Sequence, residues 1–238
     1  MPTQVYKNSS GKRVPSVTTI IGKSLGWNKD ILMRWVYNSM KQGVDPYVKR
    51  DEACTVGSLV HDYVEHHIYG TELSMELKSK HTFEDITVAE RGLQQFKLQE
   101  SEYKITWLET EYPLVSDSLN YGGCLDGVGV MGDVLFLGDI KTSNAIYPDH
   151  IIQLAAYNNL LREEGKYIPS EYWIFKIKKD IALEDEELVR FIPVSQEAIE
   201  LGWKEFQYLR QMYDDEKVFM KMTKKMNEIS NELIQEVV

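Results

Sequence analysis

Val134-Leu135-Phe136-Leu137-Gly138-Asp139-Ile140-Lys141 is a run of four apolar residues and a glycine, closing on a carboxylate and a lysine two positions apart. A short apolar run bounded by turn residues reads as a buried strand. The Met131-Gly132-Asp133 turn precedes it, and Leu119–Val130 on the far side of that turn is a second strand candidate. Further upstream, Lys104–Val115 alternates, with Ile105, Trp107, Glu109, Glu111, Pro113 and Val115 on one parity. Downstream, Pro148 and Asp149 open a helix through Leu161, and Glu171–Ile177 and Leu188–Pro193 are two more strands. From Ser195 onward Ile199, Trp203, Phe206, Leu209 and Met212 keep a helical period. The charged, Met- and Lys-containing tail after Val218 is expected to fray or to pack elsewhere.

The first hundred residues have a different texture. An extended piece at Arg13–Thr18 leads into a helix at Val17–Ile21, with Ser16 as N-cap. Asn28-Lys29-Asp30 opens a second helix whose Ile31, Leu32, Trp35, Val36 and Met40 form a helix-period apolar face. A third runs from about Thr55 to Tyr69 and is ended by Gly70; a fourth runs from about Thr87 to Glu100 and carries Leu93, Phe96 and Lys97. The polar stretch Glu72–Glu84 reads as surface loop. The expectation is one α/β domain over residues 1–238: a mainly helical layer (1–103), a sheet core (104–194) and C-terminal helices (195–238).

Composition bounds the function. The chain has 238 residues, 43% hydrophobic and 27% charged, so it is long enough to bury a core without disulfides or a structural metal. A net charge of −10 argues against coating nucleic acid through bulk charge, while leaving room for a local basic groove. Cys54 and Cys124 are seventy positions apart with no CxxC, which excludes a sequence-local zinc ribbon and a four-cysteine iron–sulfur cluster. The N-terminal ten residues lack a signal-peptide pattern, and no apolar stretch is long enough to span a membrane. A soluble cytoplasmic protein is expected.

The chemistry concentrates between Gly122 and Tyr157. Asp126 lies mid-strand in Gly122-Gly123-Cys124-Leu125-Asp126-Gly127, and Asp139 follows thirteen positions later across one turn. In an antiparallel hairpin one residue from each strand can face the same ion. Asp139 and Lys141 share a strand face because side chains alternate with period two. Two carboxylates beside one lysine can hold a divalent cation and keep a cationic group near an attacking water. Taken singly, Asp-x-Lys is common as a surface ion pair. Gln153 and Tyr157 at i,i+4 could be the wet face of an amphipathic helix, and His61, at i,i+4 with Glu65, could be a satisfied core histidine. The order Gly57-x-x-x-His61, Gly123-x-x-Asp126, Asp139-x-Lys141, Gln153-x-x-x-Tyr157, with short spacings, makes chance coincidence of all four the weaker explanation.

These motifs resemble the PD-(D/E)XK nuclease superfamily in its RecB-like branch, and within it small exonucleases of phages and of mitochondrial genome maintenance. The resembling stretches are Val56–Glu65, Glu111–Lys141 and Gln153–Tyr157, with a weaker echo at Pro15–Thr18. The resemblance implies a restriction-endonuclease-like core, a mixed central sheet flanked by helices. It also implies a Mg²⁺- or Mn²⁺-dependent DNA exonuclease acting on single strands or free ends in repair or recombination, in the host cytoplasm if phage-encoded, with a replication or recombination protein as a further partner. His61, Asp126, Asp139 and the Ile140 carbonyl would be metal ligands, with Glu111 and Glu65 as further carboxylates. Lys141 would be the catalytic lysine, and Gln153 and Tyr157 its supporting pair. No proline precedes Asp126, a departure from the branch. Alternatives are a catalytically inactive DNA-binding or scaffold subunit and an open-cleft endonuclease.

Two other hydrolase classes fail on spacing. An HD-type phosphohydrolase needs a histidine before His61-Asp62, and none exists. A zinc protease needs His-Glu-x-x-His or its inverse, which His61, Glu65, His66 and His67 do not form, so His66 and His67 are expected to be solvated. Trp35, Tyr37, Lys41, Tyr47, Lys49 and Arg50 are candidates for holding a strand, and the helices before residue 103 are the material large enough to cover a cleft.

Overall fold

The structure is a computed structural model that describes residues 4–26, 29–179, 184 and 188–235, with side chains described as far as Ile229. A small hairpin, β1 (Tyr6–Lys7) and β2 (Arg13–Val14), leads into α1 (Val17–Ser24). Ser16 caps α1 by accepting a hydrogen bond from the Thr19 N–H, as its sequence position predicts. Then come α2 (Lys29–Lys41), α3 (Pro46–Ile68), α4 (Met75–Lys78) and α5 (Phe83–Glu102). The sheet strands are β3 (Ile105–Ser116), β4 (Tyr121–Met131), β5 (Val134–Lys141), β6 (Glu171–Ile177) and β7 (Val189–Val194). The helix α6 (Pro148–Glu164) crosses from β5 to β6, and α7 (Gln196–Gln235) ends the chain.

The five-stranded sheet runs in sequence order β3-β4-β5-β6-β7 and is mixed: β5 and β6 pair parallel, the other neighbours antiparallel. A parallel pair needs a crossover, and α6 supplies it. Alternation along β5 separates two cores. Leu137 joins Val17, Ile20, Leu154 and Phe206 on the face covered by α1, α6 and α7. Phe136 joins Leu59, Val64, Phe96 and Phe175 beneath α3 and α5. This is the expected mixed sheet flanked by helices. No helix among the described residues is long and apolar enough to cross a membrane, and Cys54 and Cys124 are unpaired.

Several elements differ from the sequence reading. Helix α3 starts nine residues earlier than expected, capped by Asp45 with Pro46 in its first turn. The stretch Glu72–Glu84 contains α4 and the start of α5, whose capping box is formed by Thr82 and Asp85. The parity assigned to β3 breaks at a bulge. Trp107 pairs with Gly129 but Glu109 pairs with Val128, so Leu108 is extra and Trp107 and Glu109 face opposite sides. The apolar face of α2 is not core: Ile31, Leu32 and Met40 are exposed and only Trp35 and Val36 are half-buried, because α2 rests on α3 at the rim of a groove. Asn28 lies outside the described residues. The tail after Val218 continues as helix rather than fraying.

Candidate active site

The β4–β5 ladder ends at the Gly127–Gly138 pair, and the next two residues in register are Asp126 and Asp139. There the Asp126 carboxylate replaces the backbone partner: its Oδ2 accepts the Ile140 N–H at 2.7 Å. Asp139 is fully buried, and the Lys141 ammonium lies directly against its Oδ2. Lys141 Nζ also reaches the Ile140 carbonyl at 3.5 Å. From α6, Gln153 Nε2 donates to Asp139 Oδ1 at 3.4 Å and to the Tyr157 hydroxyl at 2.9 Å. The i,i+4 pair therefore buttresses one carboxylate instead of facing water.

His61 arrives from the opposite side of the sheet, with Nδ1 4.0 Å from Asp126 Oδ2. The reason for glycine one turn earlier is steric. A Cβ on Gly57 would lie 2.8 Å from Thr142 Oγ1, so only glycine lets α3 pass this close to the end of β5. Gly123 works likewise on the other face, where a Cβ would lie 2.5 Å from the Tyr157 ring. Glu111 stands beside Asp126 in the left-handed backbone region at φ 44°, uncommon for a non-glycine residue and a local strain. Its Oε2 accepts from Cys124 Sγ at 3.4 Å. Glu65 interacts electrostatically with both Glu111 and Asp126.

Electrostatics set the character of the site. Burial pushes Asp139 up to about 6, helped by Asp126 and opposed by Lys141. Burial also raises Asp126, against the pull of Lys141 and the Ile140 N–H. Glu111 is pushed up to about 7 by burial and the Asp126 charge. His61 is pushed down to about 4 by burial and Lys141, so it is neutral with a free lone pair near pH 7. For Lys141 burial lowers the pKa, but Asp139 and Asp126 outweigh it and the net shift is upward. The centre holds a buried carboxylate, Asp139, and a half-buried one, Asp126, against one ammonium.

That donor set suits a divalent cation by its chemistry, with hard oxygens and one imidazole around a net negative, desolvated centre. Asp139 Oδ2 is buried without a hydrogen bond of acceptable geometry. Among the described residues no three His, Cys, Asp or Glu side chains form a ready cage. The cation nearest Asp139 is the Lys141 ammonium.

Two clefts meet at His61. One, of about 290 Å³, is lined by Tyr6, Ser16, Thr18, Glu111, Asp126 and Tyr157 among others. The larger, of about 880 Å³, has Trp35, Lys49, Arg50, Thr142 and Lys179 along its walls. Of the strand-holding candidates, Trp35, Lys49 and Arg50 line this groove, whereas Tyr37, Lys41 and Tyr47 do not.

Sequence reasoning missed three contributors. His150 is buried, accepts the Tyr147 N–H at Nδ1, interacts electrostatically with Lys141 and Asp139, and precedes Gln153 and Tyr157 by three and seven positions, a helical spacing visible in the sequence. Thr142 and Lys179 enter only through tertiary approach. His67 was expected to be solvated but hydrogen-bonds Glu100 at 2.7 Å with its side chain 25% exposed, and His66 pairs with Thr71. His67 is thereby tied to α5, whereas the His66 contact is local and exposed.

No family model matches the sequence, and no curated protein does. Among solved structures the chain is similar to a protein of Eubacterium rectale provisionally named an exonuclease, at 15% identity and TM-score 0.42, covering 66% of this chain and 68% of that one. It is also similar to an alkaline exonuclease from Laribacter hongkongensis, at 15% identity and TM-score 0.38, covering 56% and 70%. A structure of that exonuclease with dAMP aligns at 16% identity and TM-score 0.38, covering 72% and 95%. At these TM-scores the fold rests on the chain's own sheet order rather than on the likeness.

Proposed function

We propose that this protein is a divalent-metal-dependent deoxyribonuclease that hydrolyses phosphodiester bonds from free ends and prefers single strands. The observation that carries the reading is half-buried Asp126 beside buried Asp139, with Lys141, between two clefts. His61, Asp126, Asp139 and the Ile140 carbonyl would hold Mg²⁺ or Mn²⁺, with Glu111 and Glu65 at the periphery. Bound there, the ion supplies Lewis acidity toward a phosphate oxygen and lowers the pKa of a water. Lys141 offsets charge on the phosphate and orients the nucleophile. Gln153 fixes the Asp139 carboxylate and the Tyr157 hydroxyl in one geometry, and neutral His61 offers a lone pair. Along the larger cleft Lys49, Arg50 and Lys179 contact phosphates while Trp35 gives a base a face to stack on. The low cationic content favours an enzyme that captures ends over one that grips a continuous duplex.

End-labelled linear single- and double-stranded DNA and a closed single-stranded circle, incubated with Mg²⁺, Mn²⁺ or EDTA, test this. Metal-dependent shortening of linear single strands is expected, with the circle persisting. Asp139→Asn should lower the rate about 100-fold or more, and Lys141→Ala should abolish turnover. Rapid nicking of the circle would favour the open-cleft endonuclease. DNA binding without hydrolysis would favour the inactive subunit.

A further inference from the structure

The last helix, α7, serves two roles along its length. Its first half packs into the core through Ile199, Phe206, Leu209 and Tyr213, all buried. Beyond Tyr213 every described side chain, from Asp214 to Ile229, is exposed. A helix that has left its body would be expected to present polar residues all round. This one does not. Phe219, Met222, Met226 and Ile229 are 65%, 55%, 67% and 47% exposed and fall at intervals of three, four and three. That is the a/d repeat of a coiled-coil seam, and the sequence continues the interval at Leu233. Lys217, Lys221, Lys224 and Glu228 fall on the outer positions of the same repeat, where Lys224 and Glu228 pair at 3.8 Å. Of the exposed apolar residues in this half, Val218 flanks the seam and Met220 stands off it.

We propose that this projecting half of α7 pairs with the same segment of a second copy, forming a parallel, in-register two-stranded coil. Three observations select a second copy. Residues 216–235 carry four lysines and three glutamates in a chain of net charge −10, so the segment is nearly neutral and selects neither an acidic nor a basic partner. In the parallel register the flanking positions place Val218 beside Thr223 of the other helix and Lys225 beside position 230, with no like charges opposed. The same surface serves both copies, as two-fold pairing requires. Asp215 occupies the next seam position toward the body and would face its own copy, ending the seam near Phe219. The contact is then about 22 Å long, short enough that the dimer should be weak and concentration-dependent.

Sedimentation velocity on the full chain in EDTA, from low micromolar to a few hundred micromolar, reads this directly. The wild type should move from monomer to dimer across the range. The Met222→Lys, Met226→Lys double variant should stay monomeric with an unchanged circular dichroism spectrum in the native baseline. Replacing the repulsive position, Asp215→Leu, should tighten the dimer at least tenfold. Ile229→Cys in a Cys54→Ser background should form a disulfide-linked dimer on mild oxidation. A wild type that stays monomeric throughout, or a double variant that dimerises as the wild type does, overturns the proposal. A dimer that gives no Ile229→Cys cross-link overturns the parallel register.

Discussion

Asp126→Asn should stabilise the metal-free protein while removing its response to metal. The amide oxygen of asparagine can still accept the Ile140 N–H that Asp126 Oδ2 accepts at 2.7 Å, and the Asp139–Lys141 contact is untouched. What disappears is one of two neighbouring negative charges, the half-buried one. Asp139 is displaced from 3.8 to about 6 by burial and by Asp126, which corresponds to ~3 kcal/mol against its ionised form. A raised carboxylate pKa means that the ionised form is less favourable in the folded protein than in the unfolded chain. The penalty is therefore absent below the unfolded value and complete above the folded one. Removing the Asp126 charge should recover about 1–3 kcal/mol at pH 8, or roughly 2–12 °C in Tm for a domain of this size. Thermal unfolding in EDTA at pH 8 and pH 5 measures it, and the advantage should shrink at pH 5. Saturating Mn²⁺ at 100 times its Kd should raise wild-type stability by about 2.7 kcal/mol and the variant by a small part of that. If Asp126→Asn is several degrees less stable than wild type at pH 8 in EDTA, Lys141 and Ile140 already satisfy Asp126, and the electrostatic case for a bound cation fails.

Three further outcomes follow from the same geometry. Because burial and Asp126 raise Glu111 from 4.5 to about 7, metal-free stability should fall as pH rises through that window, by about 1 kcal/mol after allowance for solvent screening. Glu111→Gln should flatten the curve in a Tm-versus-pH series, and an unchanged slope would remove Glu111 as its source. Imidazole suits Mn²⁺ better than Mg²⁺, so the site should bind Mn²⁺ more tightly and His61→Ala should narrow the difference. Calorimetric titration showing unchanged Mn²⁺ affinity in that variant would make His61 a core histidine. Gly57→Val should separate α3 from Thr142, where even a Cβ would sit 2.8 Å from Oγ1. The fold should survive with a loss of about 1–3 kcal/mol, while Mn²⁺ affinity falls because His61 lies one turn away; retained affinity would show that the close approach does not set the His61 position.

Local pattern revealed the centre of the molecule and missed its margins, for physical reasons. Val134–Lys141 was legible because an apolar run between turns has few alternative fates, and its bounds match β5. The opposition of Asp126 and Asp139 followed from period-two alternation across one short turn. The bulge at Leu108 could not be read, because a single inserted residue leaves composition and propensity unchanged while reversing every later side chain. The α2 face misled because a helical apolar period does not say whether anything covers it: Ile31 and Leu32 repeat correctly and remain in solvent. Lys179 and Thr142 reach the site only through long-range packing, which no local window contains. The roles of Gly57 and Gly123 were visible as motif letters, but their cause lies in the neighbouring Thr142 and Tyr157.

The Ile140 N–H has an experimental consequence of its own. In a regular ladder this amide would face a carbonyl whose basicity never changes; here it faces a titratable carboxylate. Its proton resonance should therefore move as Asp126 gains a proton, a cation or an amide in its place. Isotope exchange at the same position should slow when the carboxylate is pinned and quicken when it is drawn away. A single backbone nucleus, needing no label on substrate and no turnover, thus reports the state of the centre in solution.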